Sequence, residues 1–303
     1  MKKILFGILW LLMGATIVWA QEKPLNIVAT QTIYADLVKQ VGGDRVNVKA
    51  IASAKYNIHY IQPKPSDVKT VSYADLYVNT GLDLEAWSDP LLEAVGKPEL
   101  FRNGKRNVDL SQGISLLNVP DYPVSRSQGD IHLFGNPHIQ MNPENAKIMV
   151  RTIVKKLKEI DPSNGSLYDQ NAQAFLTKLD QKISEWKTLC AHCRGEEIIS
   201  YHENMAYFAD FLGLKAEEFL EPKPGIPPTP KHLVFLENYV KEHHVKAIVL
   251  PTYSSRTEAE KLANKIGAKV VTICQSTGEV PGTEDFFSFF DYNFKQISEA
   301  LKN

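Results

Sequence analysis

Along most of this chain, short apolar runs alternate with stretches whose apolar residues recur every three or four positions. The first rhythm predicts buried strands, the second amphipathic helices. Leu25–Thr30 reads as a strand. A helix follows through Tyr34, Leu37, Val38 and Val41 and stops at Gly42-Gly43. Val46–Ile51 and Leu76–Asn79 are two further strands. After Pro143 the spacing of Met149, Ile153, Leu157 and Ile160 predicts a helix ended by Asp161-Pro162. Leu167, Phe175, Leu179, Ile183 and Trp186 continue that spacing, which predicts a helix of about 25 residues and about 37 Å. The alternation then restarts. Ile198–Tyr201, Ala247–Leu250 and Lys269–Ile273 are strand-like, with helical segments at Met205–Leu212, His232–His244 and Glu258–Ile266. Strands alternating with helices imply parallel sheets covered on both faces. The expected architecture is α/β: two Rossmann-like lobes joined by a long rigid helix, with a cleft between them. The expected boundaries are 21–162 for the first lobe, 163–190 for the linking helix and 191–303 for the second lobe. Asp121–Gly129 is a polar loop without period, and no internal sequence repeat is evident.

The amino terminus follows another pattern. Lys2 and Lys3 precede a predominantly apolar run from Ile4 to Trp19, and small residues surround a cut after Ala20. That is the layout of a cleaved secretory signal peptide. The run is shorter than the roughly 20 residues of a membrane span. No Cys follows it, so nothing signals a lipid anchor. The sequence therefore predicts an exported, periplasmic protein. Composition removes other classes. With 34 Lys and Arg against 35 Asp and Glu, the net charge of −1 excludes the basic surface that nucleic-acid binding needs. Three Cys in 303 residues are too few for a disulfide-built scaffold.

Three of the eight His stand at strand–helix junctions, where open α/β sheets place their ligand sites. His59 lies in Asn57-Ile58-His59-Tyr60-Ile61-Gln62-Pro63-Lys64-Pro65-Ser66-Asp67. His138 lies in Gly135-Asn136-Pro137-His138 and is followed by Asn142-Pro143. His202 lies in Ser200-Tyr201-His202-Glu203-Asn204-Met205. Three neutral imidazoles suit zinc and leave one tetrahedral position open. Manganese favours oxygen donors, so the set tilts toward Zn2+ over Mn2+. The same three His with a bound water would also describe a zinc-dependent hydrolase. Against that reading, the residue four after His202 is Ala206, so H-E-x-x-H fails, and no G-x-S-x-G is present.

These passages resemble the zinc- and manganese-binding class of solute-binding proteins that serve ABC transporters. His59 precedes a Pro-x-Pro-Ser-Asp run, His138 sits in an x-Pro-His pattern ahead of Asn142-Pro143, and Tyr201-His202 leads to Tyr207-Phe208. Gly81, Leu84, Glu85 and Trp87 match a Gly-x-x-x-Glu-x-Trp segment. The resemblance runs from about residue 25 to 301. It implies two lobes about a rigid helix, metal held in the cleft by His59, His138 and His202, and delivery to a membrane permease by a monomer without enzymatic activity. A surface adhesin is the other role that the resemblance admits.

The chain departs from the family pattern at the fourth ligand. Gln275 stands where an Asp is usual, and Asn136 and Asn142 replace Asp residues around His138. Gln275, Glu221, His132 or a water are the candidates for that position. His132 reads more simply as a solvated loop histidine. The Glu221–Pro230 stretch reads as a rigid loop at the cleft mouth. Cys190 and Cys193 frame a C-x-x-C after the long helix, and in an exported chain that spacing predicts a structural disulfide. Cys274 is left unpaired.

Overall fold

The computed structural model describes residues 23–121, 132–222 and 225–302. The leader-like segment and all but the first residue of Asp121–Gly129 lie outside these. The first sheet holds β1 (Leu25–Ala29), β2 (Val46–Ala50), β3 (Leu76–Asn79) and β4 (Asn107–Asp109) in the order β2-β1-β3-β4. The second holds β5 (Glu197–Ser200), β6 (Lys215–Phe219), β7 (Ala247–Pro251) and β8 (Lys269–Ile273) in the order β6-β5-β7-β8. Every pairing is parallel. The two orders are the same permutation, so the halves repeat a topology that the sequence does not repeat. Central strands such as Leu76–Asn79 and Ala247–Pro251 are buried throughout, as expected of parallel strands covered on both faces.

The remaining elements are α1 (Thr32–Gly42), α2 (Pro65–Ser72), α3 (Ser88–Val95), α4 (Asn145–Ile160), α5 (Gly165–Leu189), α6 (Ala206–Leu212), α7 (Pro230–His243), α8 (Thr257–Ile266) and α9 (Phe286–Leu301). None of the described helices is long and apolar enough to cross a membrane. Helices α2 and α3 cover the outer face of the first sheet through Val71, Leu91 and Leu92. Helices α7 and α8 cover the outer face of the second through Leu236, Val240 and Leu262. Between the sheets runs one continuous core that takes residues from α1, α4, α5, α6 and α9.

Helix α5 has the expected 25 residues and buries Tyr168, Ala172, Phe175, Leu179, Ile183 and Trp186 along one stripe. Its partner is α9. Phe175 meets Phe286 and Phe287 at ring-centroid distances of 5.4 and 5.0 Å. Trp186 meets Phe290 and Phe294 at 5.4 and 5.1 Å and donates from its indole to Asp291 at 2.7 Å. Polar links join the halves as well. The Ile33 amide donates to the Ser276 hydroxyl at 3.1 Å, and the Phe286 amide donates to the Asp36 carboxylate at 2.9 Å.

Helix α9 is not among the elements that the spacing predicts, although Phe286, Phe290, Phe294, Ile297 and Leu301 recur at helical intervals and Lys295 and Glu299 are exposed. Strands β4 and β6 carry weak signals of their own. The first has three residues, and the second, Lys-Ala-Glu-Glu-Phe, lies at a sheet edge with alternate residues exposed. The shared core makes a test. Phe290→Ala removes a fully buried ring and should cost about 3–5 kcal/mol in denaturant unfolding. Phe235→Ala, at a ring 46% exposed, should change little. Equal midpoints for the two variants would contradict a load on the α5–α9 seam.

Candidate metal centre

His59, His138 and His202 reach one another from three separate junctions. His59 lies in the 3-10 turn Ile58–Tyr60 after β2. Two bonds shape that turn: the Asn57 side chain accepts from the His59 amide at 3.0 Å, and Trp87 donates its indole N–H to the Ile58 carbonyl at 2.7 Å. Trp87 thus carries a positioning role that the Gly81–Trp87 motif did not disclose. His138 caps the 3-10 turn Ile139–Met141 ahead of α4. His202 follows β5 directly, and the Ser200 hydroxyl donates to its carbonyl at 2.7 Å.

One ligating atom from each of the three lies within 4.8 Å of the others. His59 Nε2 and His138 Nε2 are 3.2 Å apart. Two nitrogens on a tetrahedral zinc, each at 2.0–2.1 Å, sit about 3.3 Å apart. The ring centroids are 5.3 Å apart for His59–His138, 5.7 Å for His59–His202 and 5.3 Å for His138–His202. His138 and His202 are each 3% exposed. Burial, reinforced by the neighbouring His59, His202 and His132, holds the His138 pKa well below the usual imidazole value. Its ring is therefore neutral at physiological pH, as a ligand must be.

Asn136 sets the His138 tautomer. Its side-chain oxygen meets both the His138 amide and His138 Nδ1 at 3.0 Å, while its Nδ2 donates to the Glu203 carbonyl at 2.7 Å. The Nδ2 bond fixes which end of the amide is oxygen, so His138 Nδ1 carries the proton and Nε2 the lone pair. The Asn136 carbonyl in turn accepts from the Tyr207 hydroxyl at 2.9 Å. An Asp at 136 could orient the ring but could not donate to Glu203. That donation links the His138 loop to the turn after His202, and it gives a physical reason for Asn at this position.

The other candidates part company here. His132 is not a solvated loop histidine: it is 9% exposed, and its Nδ1 lies 2.9 Å from Asp83 Oδ1. Its ring stacks on His59 with centroids 5.2 Å apart. Glu221 is occupied elsewhere, accepting from the Gly225 amide at 3.0 Å and from the Tyr201 phenol. Gln275 is buried, and neither atom of its side-chain amide has a hydrogen-bond partner. Its backbone is held by Glu279, whose carboxylate accepts from the Gln275 and Ser276 amides at 2.7 and 2.8 Å and from the Thr252 hydroxyl. Burial raises the Glu279 carboxyl to about 7. Neither Asp83 nor Glu279 belongs to a pattern that marked it as part of the site.

The sequence predicts a disulfide between Cys190 and Cys193; in this structure Cys190, Cys193 and Cys274 are all buried free thiols. Helix α5 ends at Leu189, and the following 3-10 turn Ala191–Cys193 sets the two thiols as a hydrogen-bonded pair. Cys190 Sγ also approaches the Phe294 carbonyl at 3.5 Å, which ties the pair to the α9 core.

Comparison with known proteins follows the same lines. A family model described as the periplasmic zinc-uptake complex component A matches residues 27–300. The high-affinity zinc uptake system protein ZnuA of Bacillus subtilis is 26% identical over 280 residues, covering 92% of this chain and 87% of its own. The manganese ABC transporter substrate-binding lipoprotein scaA of Streptococcus gordonii is 27% identical, with 93% and 90% covered. The iron-binding protein YfeA of Yersinia pestis is 24% identical, with 92% and 87% covered. Among solved structures, one of ZnuA superposes with a TM-score of 0.77 at 25% identity, covering 92% of this chain and all of that one. A zinc-bound deletion mutant of ZnuA gives 0.76 at 26%, covering 93% and 99%. With its α/β halves, its convergent histidines and this match over nearly its whole length, the chain belongs to the family of the periplasmic zinc-uptake complex component A.

Proposed function

We propose that this protein captures a divalent transition metal, zinc in preference to manganese, and delivers it to the membrane permease of an ABC importer. His59, His138 and His202 are the ligands, and the metal is cargo. The observation that carries this reading is the 3.2 Å approach of His59 Nε2 to His138 Nε2 with a His202 nitrogen in the same 4.8 Å group. Relatives named for zinc, manganese and iron share similar identity with this chain, so donor chemistry decides among the metals. Imidazole nitrogen suits zinc, whereas manganese gains more from carboxylate oxygen. The protein works as a periplasmic monomer, exported by a signal peptide cut near Ala20, with residues 21–162 and 191–303 as its lobes about the 163–190 helix. The family is one of transporter substrate-binding proteins, and the chain is not an enzyme.

Replacing His59, His138 or His202 with Ala deletes one coordinate bond. Each variant should lose at least tenfold in zinc affinity, about 1.4 kcal/mol, in competition titration. Unchanged titrations for all three would refute the assignment.

Acid should act in two ways. Protons compete with zinc for the imidazoles, so affinity should fall as pH drops below about 6.5. The metal-free protein should lose stability over the same descent. His138 refuses a proton that the unfolded chain accepts, so unfolding gains a proton as pH falls from the ordinary imidazole value toward the depressed one. His138→Gln should flatten that slope in thermal melts at pH 7.5 to 5. An identical slope in wild type and variant would exclude His138 as its source.

Gln275 faces the charge problem of a neutral donor set. Gln275→Asp should tighten zinc binding and improve manganese binding by a larger factor, because the new carboxylate adds both charge and a harder oxygen. Titrations of Gln275→Asp beside Gln275→Ala decide this; if neither differs from wild type for either metal, Gln275 does not touch the cargo.

A further inference from the structure

His132 is left over by a three-histidine centre, yet it lies against that centre. Its ring stacks on His59 with centroids 5.2 Å apart and planes at 28°, and it stands edge-on to His138 at 5.9 Å. Imidazoles bound through nitrogen to one tetrahedral zinc place their centroids about 5–6 Å apart. The distances from His132 fall in the same range as those among His59, His138 and His202.

Asp83 determines what this ring can do. Its Oδ1 meets His132 Nδ1 at 2.9 Å, and its Oδ2 accepts from the Leu133 amide at 3.1 Å. One carboxylate therefore grips both the ring and the adjoining backbone. A carboxylate only accepts, so Nδ1 carries the proton and Nε2, across the ring, keeps its lone pair. A histidine whose far nitrogen rests on a carboxylate is the usual form of a metal-binding imidazole, because the carboxylate orients the ring and raises its basicity.

We propose that His132 is the fourth nitrogen donor of the centre, with Asp83 as the residue that orients it. The inference rests on the three-histidine reading above and extends it. The ring nitrogens of His132 do not share the 4.8 Å group of the other three, so coordination requires the ring to turn from its stack on His59 toward the shared metal. This arrangement also answers the missing Asp at 275: the fourth donor comes from the first half of the chain, and its negative charge sits one residue behind the metal rather than on it.

Zinc K-edge absorption of the wild-type zinc complex, together with titrations of four variants, tests the proposal. The expected spectrum fits four imidazoles. His132→Ala should reduce that number to three and weaken zinc binding at least tenfold. Asp83→Asn, which keeps a hydrogen-bond acceptor but removes the charge, should weaken it less and leave four imidazoles. Gln275→Ala should leave the imidazole count unchanged. A wild-type spectrum of three imidazoles and an oxygen overturns the proposal, and so does a His132→Ala protein with wild-type affinity while His59→Ala has lost it. If His59→Ala also binds zinc normally, it is the underlying three-histidine reading that fails.

Discussion

The apolar core between the two sheets is the constraint on which the rest depends. The proposed metal centre takes His59 from the turn that follows β2, His202 from the end of β5 and His138 from the approach to α4. Errors in the placement of either half therefore add up at the centre. Coordination tolerates little error, since a tenth of the 2.0–2.1 Å bond is already about the spread seen in good sites. A chain could meet that demand with an exposed hinge only by ordering the hinge at each binding event. Here the demand is met by packing. Helices α5 and α9 interlock through Phe175, Trp186, Phe286, Phe290 and Phe294, and α1 joins the same core. Close-packed interiors have low compressibility and transmit strain, so this packing resists displacement of one half relative to the other.

Asn136 shows how the scaffold hands that precision to individual atoms. Its one amide group orients His138, donates to the Glu203 carbonyl beside His202, and belongs to a residue whose own carbonyl receives Tyr207. Removing any one of these bonds would leave a buried polar atom without a partner, at a cost of about 1–3 kcal/mol. The network is therefore self-checking, because a displacement of one histidine loop breaks a bond made to the other.

The repeating β/α rhythm made the interior strands and the two long central helices legible in the sequence, because buried parallel strands and amphipathic helices have unambiguous periods. The three-residue β4 and the polar β6 were not, since neither is long or apolar enough to show a period, and α9 was missed although its apolar residues recur at helical spacing. At the site the same division holds. His59, His138 and His202 were legible from their places at strand–helix junctions and from the motifs around them. Asp83 was not, because a carboxylate that acts through a histidine 49 positions away leaves no local pattern. His132 was legible as a candidate but read as solvated, and the error has the same source: its burial is created by Asp83 and His59, neither of which is its neighbour in the chain. The C-x-x-C spacing was legible too, yet spacing carries no information on whether two thiols bond or merely hydrogen-bond.

The placement of charge gives the centre its character. The three convergent side chains are imidazoles, while two carboxylic groups stand one residue back: Asp83 behind His132, and Glu279 beneath the backbone of Gln275. Coulomb attraction falls with distance, and at an effective dielectric near 20 a unit pair loses roughly half its energy between 4 and 8 Å. In the proposed centre, carboxylates held one layer back would lower the cost of bringing in a dication without offering it the hard oxygen bonds that manganese prefers. They would also leave the metal bound through nitrogens that protonation or a small displacement can release. A receptor has to give up its cargo to a permease, and an imidazole inner set with its carboxylic groups one layer out would suit that release better than direct carboxylate ligation.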